Sequence, residues 1–261
     1  MVWRTSTSCI GSSGDENEVK SSKFWYHGGP ESTIDLVLGG KIKTRETRIN
    51  DLYTPLPGRV YLTRNWKYAI GYTIRLDSPI GTLLSLRVEN EKLLWPDEDE
   101  IGRVISQGYL DKELNIPSLD KDEMKLYNII IQRLSKKLKN NIKDKSHHEF
   151  ELSGYDTWVE IGKEAIIELS KNDPDFLNEI SVHFDRVSTT PDNLVLEEIW
   201  KIDYDEVPFC AEEWDENKFL HYAKPIKLVN PIHLKSKGFN KSGWFGEPQR
   251  HALAARGVRT R

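Results

Sequence analysis

Runs with strand character stand toward both ends of this 261-residue chain, and runs with helical spacing stand between them. That order constrains the fold more than any single motif. The first strand signals are Lys23-Phe24-Trp25-Tyr26-His27, stopped by Gly28-Gly29-Pro30, then Gly58 to Thr63, then Gly81 to Val88. Strand signals return at Ile180 to Phe184, Leu194 to Ile202 and Phe219 to Val229. In the middle, Leu119 to Leu138 and Trp158 to Leu169 carry apolar residues at helical steps, for example Leu126, Ile130 and Leu134, with the polar stretch Lys139 to His148 between them. Two short helices are predicted among the early strands: Thr33 to Leu38, capped by Ser32 and ended by Gly39-Gly40, and Arg64 to Thr73. A chain that runs strands, helices, strands predicts an α+β domain whose one sheet system is interrupted by a helical insertion, here at about 97–175.

Composition agrees with a packed domain. Hydrophobic residues are 38% and charged residues 30%, with eight Trp, ten Tyr and eight Phe, which excludes disordered and collagen-like classes. No apolar run approaches the roughly 20 residues of a membrane helix, and Met1 to Ser22 lacks an apolar secretory core, so a cytoplasmic location is expected. Residues 1–22, rich in Ser, Thr and Gly, read as a flexible leader, 23–234 as the domain, and 235–261 as a basic tail. The net charge of −4 argues against a polyanion binder overall, but from Lys235 onward seven basic residues face Glu247 alone. Nucleic-acid contact by that tail is one expectation, and a solvated tail the other. The acidic run Asp97-Glu98-Asp99-Glu100 lacks the pattern of a calcium loop and reads as a solvated turn.

Several chemistries lack their residues. There is neither G-x-G-x-x-G nor G-x-x-x-x-G-K-[ST], so the two common phosphate-cradling loops are missing. Cys9 and Cys210 are too few and too far apart for a disulfide framework or a thiolate zinc site. His147-His148 has no further ligand nearby, and no metal is expected. Without G-x-S-x-G or a local cysteine signature, acyl transfer is unsupported.

Three features remain, in order: Tyr26-His27-Gly28-Gly29, Val60-Tyr61-Leu62-Thr63, and Ala69-Ile70-Gly71-Tyr72. Together they resemble the ADP-ribosyltransferase superfold, in its His-Tyr-Glu branch of diphtheria-type toxins and poly(ADP-ribose) polymerases. There a strand ends in Tyr-His-Gly, a later strand supplies a tyrosine in a Tyr-x-Thr context (Tyr61 and Thr63 here), and the next helix supplies a second tyrosine (Tyr72). The resemblance covers roughly Phe24 to Val88. It implies a split antiparallel β-sheet core and NAD as substrate. Scission of the nicotinamide–ribose bond passes through an oxocarbenium-like state, so the site must hold a flat leaving group and stabilise positive charge. By resemblance, Tyr61 and Tyr72 sandwich the nicotinamide, the Gly28 backbone approaches its carboxamide, and His27 hydrogen-bonds a ribose hydroxyl.

The resemblance also implies a glutamate that opens a strand in the second half and stabilises the developing charge. Period-2 alternation puts Glu198 with Leu196 and Trp200 on the more apolar face and Glu197 on the other, so Glu198 leads, Glu197 follows, and Glu216, before the last strand signal, is the rival. The implied activity is NAD-dependent mono-ADP-ribosyl transfer to a protein or nucleic-acid acceptor. A binding or inhibitor protein that keeps the fold without the glutamate is the alternative, followed by an RNA 2′-phosphotransferase, for which the extra arginines beside the histidine are not evident. Acceptor specificity is expected in the insertion.

Overall fold

A computed structural model describes residues 24–44, 56–73, 79–115, 117–148, 154–206, 219 and 221–237. The strands are β1 (Trp25–Pro30), β2 (Lys41–Ile42), β3 (Val60–Thr63), β4 (Ile80–Val88), β5 (Trp95–Pro96), β6 (Arg186–Thr189), β7 (Leu194–Asp203), β8 (Ala223–Ile226), β9 (Ile232–His233) and β10 (Lys235–Ser236). Eight of them form one antiparallel sheet in the order β5-β6-β3-β1-β4-β7-β8, with β9 also paired to β7. β2 and β10 pair in parallel as a separate two-stranded sheet. The helices are α1 (Ser32–Leu38), α2 (Trp66–Gly71), α3 (Glu98–Leu114), α4 (Lys121–Arg133), α5 (Lys136–His148), α6 (Gly154–Asn172) and α7 (Pro174–Ser181).

The α+β order therefore holds, with α3 to α7 inserted between β5 and β6. Local chemistry starts these helices: Asn65 caps α2 by accepting from the Lys67 and Tyr68 amides, and Asp120 and Glu123 form a reciprocal capping box on α4. The insertion runs longer than expected. Ile180 to Phe184 is not a strand, because Asp173 caps α7, Pro174 opens it, and Phe176, Leu177 and Ile180 bury one face at helical spacing. The sheet resumes only at Arg186. Lys139 to His148 is helical too. Its Asn140 and Asn141 cost roughly 0.6 kcal/mol each in helix propensity, but burying Leu138 and Ile142 contributes on the order of 2 kcal/mol apiece, so packing wins. The strand expected over 219–229 narrows to β8, and Phe219 is helical and buried. The start of the basic tail is β10, tied to β2.

Three apolar clusters hold these layers. The largest fills the helical insertion, with Ile101, Ile105, Ile130, Ile142, Ile161 and Ile166, and takes in Trp95 of β5, so the insertion is packed onto the edge of the sheet. Trp25, Leu62, Leu84, Leu86, Leu196 and Ile199 cover one sheet face. Ala69, Ile70, Leu83, Ile202 and Phe219 cover the other, beneath α2. Among the described residues, no helix is long and apolar enough to cross a membrane.

Candidate functional site

The Tyr26-His27-Gly28-Gly29 motif lies on β1, at the centre of the sheet. On one side β1 is paired with β4 along its whole length, from Trp25 opposite Leu86 to Pro30 opposite Gly81. On the other side, its ladder with β3 among the described residues is the single pair Tyr26–Thr63. Beyond that pair the ladder ends, and we term the step from His27-Gly28 to Leu62-Tyr61 the split. A side chain spans it: His27 Nδ1 lies 2.8 Å from the Tyr61 carbonyl oxygen. A carbonyl only accepts, so Nδ1 carries the proton, which fixes the imidazole tautomer and its orientation at the mouth of the split.

Four of the expected residues thus meet on two adjacent strands: His27, Gly28, Tyr61 and Thr63. Strand alternation puts Tyr26, Gly28, Tyr61 and Thr63 toward α2 and His27 toward the opposite face, with Trp25. Gly28 has a packing reason of its own: a Cβ there would stand 1.9 Å from the Ala69 carbonyl oxygen, so the glycine admits the backbone of α2. The Thr63 hydroxyl is buried and accepts from the Asn65 amide, turning the chain into α2. Tyr72 caps the far end of α2, 46% exposed, with its ring edge-on to Tyr68 at 5.3 Å and its hydroxyl donating to that of Tyr68 at 2.9 Å.

The glutamates are separated by an irregularity the sequence did not announce. A bulge in the β4–β7 ladder sets Ser85 opposite Glu198 but Leu86 opposite Leu196, leaving Glu197 as the extra residue. Leu196 therefore shares its face with Ile199, not with Glu198 and Trp200 as strict alternation predicts. Glu197 is captured by Arg87 Nε at 2.8 Å. Glu198 is exposed, and its Oε2 accepts from Ser85 Oγ and Trp200 Nε1, each at 3.2 Å. It stands in line with Ser85, Tyr26 and Thr63 across β4, β1 and β3, in the middle of β7 and not at a strand's start. Glu216 lies outside the described residues.

The acidic run is the part that sequence reasoning misjudged. Far from forming a solvated turn, Asp97 to Glu100 starts α3 against the sheet, with Glu98 4% and Asp99 5% exposed. Tyr61 donates its hydroxyl to Glu98 Oε1 at 2.6 Å and accepts from the Leu56 amide at 3.1 Å. Arg186, the first residue of β6, bonds Asp99 Oδ2 at 2.7 Å and Glu100 Oε1 at 2.7 Å, with Asp97 at 3.8 Å, and donates to the Tyr68 hydroxyl at 2.7 Å. The readable signal was the apolar spacing Ile101, Val104, Ile105 directly after the acids, which marks them as the first turn of a buried helix.

Electrostatics follow from this burial. Loss of water raises the carboxyls of Asp97, Glu98 and Glu100 above their ordinary values; the Tyr61 bond pulls Glu98 back only in part, and Arg186 does the same for Glu100. Burial, reinforced by Glu98, also holds the Tyr61 phenol above its usual range, so it remains a donor. For Arg186 the three acids outweigh the cost of burial and keep it firmly charged. Arg59, stacked 3.7 Å over Trp95 and bonded to Ser188, is pushed down to about 10 by burial against the pull of Tyr61 and Glu98. Glu98 Oε2 and Asp99 Oδ1 are buried with no hydrogen-bond partner among the described residues. No group of three or more His, Cys, Asp or Glu among those residues is arranged to hold a metal ion. An open depression of about 500 Å³, lined by Asp111, Asn115 and Met124 among others, lies at the opposite end of α3 from Glu98. Comparison with family models, with curated proteins and with solved structures found no match.

Proposed function

We propose that the split between β1 and β3 is a NAD site and that the chain is a NAD-dependent mono-ADP-ribosyltransferase acting on a protein or nucleic-acid acceptor. The observation that carries this reading is the contact of His27 Nδ1 with the Tyr61 carbonyl where the β1–β3 ladder ends, which joins two residues that the resemblance places around NAD. A flat aromatic amide would stack beside the Tyr61 ring at this place. His27 would then orient the ribose, and Glu198, accessible on the same row as Tyr26, would face the positive charge that develops as nicotinamide leaves.

One observation favours a second reading, a NAD-binding protein without transferase activity. β6, the strand beside β3, opens with Arg186 and not with a glutamate, and Glu198 stands mid-strand, on the sheet face opposite His27. Etheno-NAD hydrolysis separates the two. The transferase reading expects turnover by the wild type and its loss in Glu198→Ala. Saturation-transfer NMR showing NAD bound without turnover, with or without candidate acceptors, selects the second reading. No NAD binding at all would falsify both.

A further inference from the structure

We infer that Glu98, in the first turn of α3, is a positioning residue that fixes the Tyr61 ring for NAD, and that this turn holds Tyr72 as well. The inference rests on the proposed NAD site. Its ground is a continuous set of contacts. Tyr61 reaches Glu98 through a 2.6 Å hydrogen bond. Tyr72 reaches Tyr68 at 2.9 Å, Tyr68 receives Arg186 at 2.7 Å, and Arg186 is clamped by Asp99 and Glu100 at 2.7 Å each. Both aromatic residues that the reading assigns to nicotinamide are thus tied to three successive residues of one helix turn.

The turn itself is held rigidly. The Glu98 carbonyl oxygen abuts Gly162 of α6, where a Cβ would stand 1.7 Å away, and Gly102 of α3 meets the Trp158 carbonyl oxygen as closely. Two glycines bring the helix backbones into contact and set the depth of Glu98. A carboxylate buried at a helix N-terminus is a strong acceptor in a low dielectric, so its bond to the phenol holds the ring against a swing about χ1. The helical insertion is, in this sense, part of the cleft. A ring fixed before the ligand arrives loses no rotamer freedom on binding, which favours affinity.

Isothermal titration of NAD into the full chain tests this, using wild type, Glu98→Leu, Glu98→Gln, Tyr61→Phe and the Tyr61→Phe/Glu98→Leu double variant. Loss of a hydrogen bond to a charged partner predicts that Glu98→Leu and Tyr61→Phe each weaken NAD binding about tenfold, and that the double variant is also weakened about tenfold, not a hundredfold. Glu98→Gln, which keeps an acceptor, should stay within about threefold of wild type. Wild-type affinity in Tyr61→Phe or in folded Glu98→Leu overturns the inference and leaves the NAD site standing, and so does an additive loss in the double variant. Should Glu98→Leu fail to fold, Tyr61→Phe, which preserves ring volume, decides alone. A wild type that binds no NAD removes the site and the inference with it.

Discussion

At the residue scale, the site is built from groups whose reasons are packing and electrostatics before they are chemistry. Gly28 illustrates this: the sequence showed that a glycine follows His27, but not that Ala69 of α2 would occupy the space of its Cβ, since that contact joins residues 41 positions apart. Gly28→Ala should therefore lower stability by about 3 kcal/mol, seen as an earlier thermal midpoint, whether or not NAD is present. A variant that melts like wild type would show that α2 yields there. Arg186 was unreadable for a related reason: nothing near it in sequence says that it neutralises Asp97, Asp99 and Glu100. Arg186→Met leaves those acids buried without a cation and should cost about 3 kcal/mol at neutral pH. Equal urea midpoints for the variant and wild type at pH 7.5 would contradict that. His27, Tyr61 and Thr63 were legible as neighbours because each lies in a short motif whose strand character is local.

At the element scale, strand and helix order was legible, and so were most apolar stripes, because hydrophobic period is written locally. The bulge in β7 was not. It comes from register against β4, and it changed which residues share a face with Glu198. The end of the insertion was misread for a similar reason: Ile180, Val182 and Phe184 alternate like a strand, yet Val182 is 57% exposed while Ile180 packs with Leu177 on α7. The α3–α6 crossing is the element-level feature with most leverage. Because Gly162 and Gly102 bring two backbones into contact, Gly162→Ala must push α3 away from α6 and should destabilise by about 2 to 4 kcal/mol. The same displacement moves Glu98, so a folded Gly162→Ala protein should bind NAD more weakly than wild type, although the glycine lies outside the cleft. Unchanged affinity together with a lowered midpoint would confine the crossing to a structural role.

At the scale of the whole molecule, burying several carboxyls at one interface gives folding a pH dependence of definite sign. Asp97, Glu98 and Glu100 all have folded-state values above their ordinary 3.8 and 4.5. The native state therefore holds protons that the unfolded chain releases, so stability must fall as pH rises through the folded values, and it is fully restored only below the ordinary ones. The window thus opens near 4 and extends upward, the reverse of a protein whose acids are stabilised by surface ion pairs. Asp122 is shifted the other way, but it is fully exposed and its pair with Lys125 is screened by solvent. Urea midpoints measured at constant ionic strength should decline as the pH is raised above about 4. Glu98→Gln should flatten that decline, because the amide carries no charge to bury, and Glu113→Gln, on the exposed side of α3, should leave it intact. A midpoint that rises with pH in the wild type would mean that the ion pairs of Arg186 more than compensate the burial of these acids.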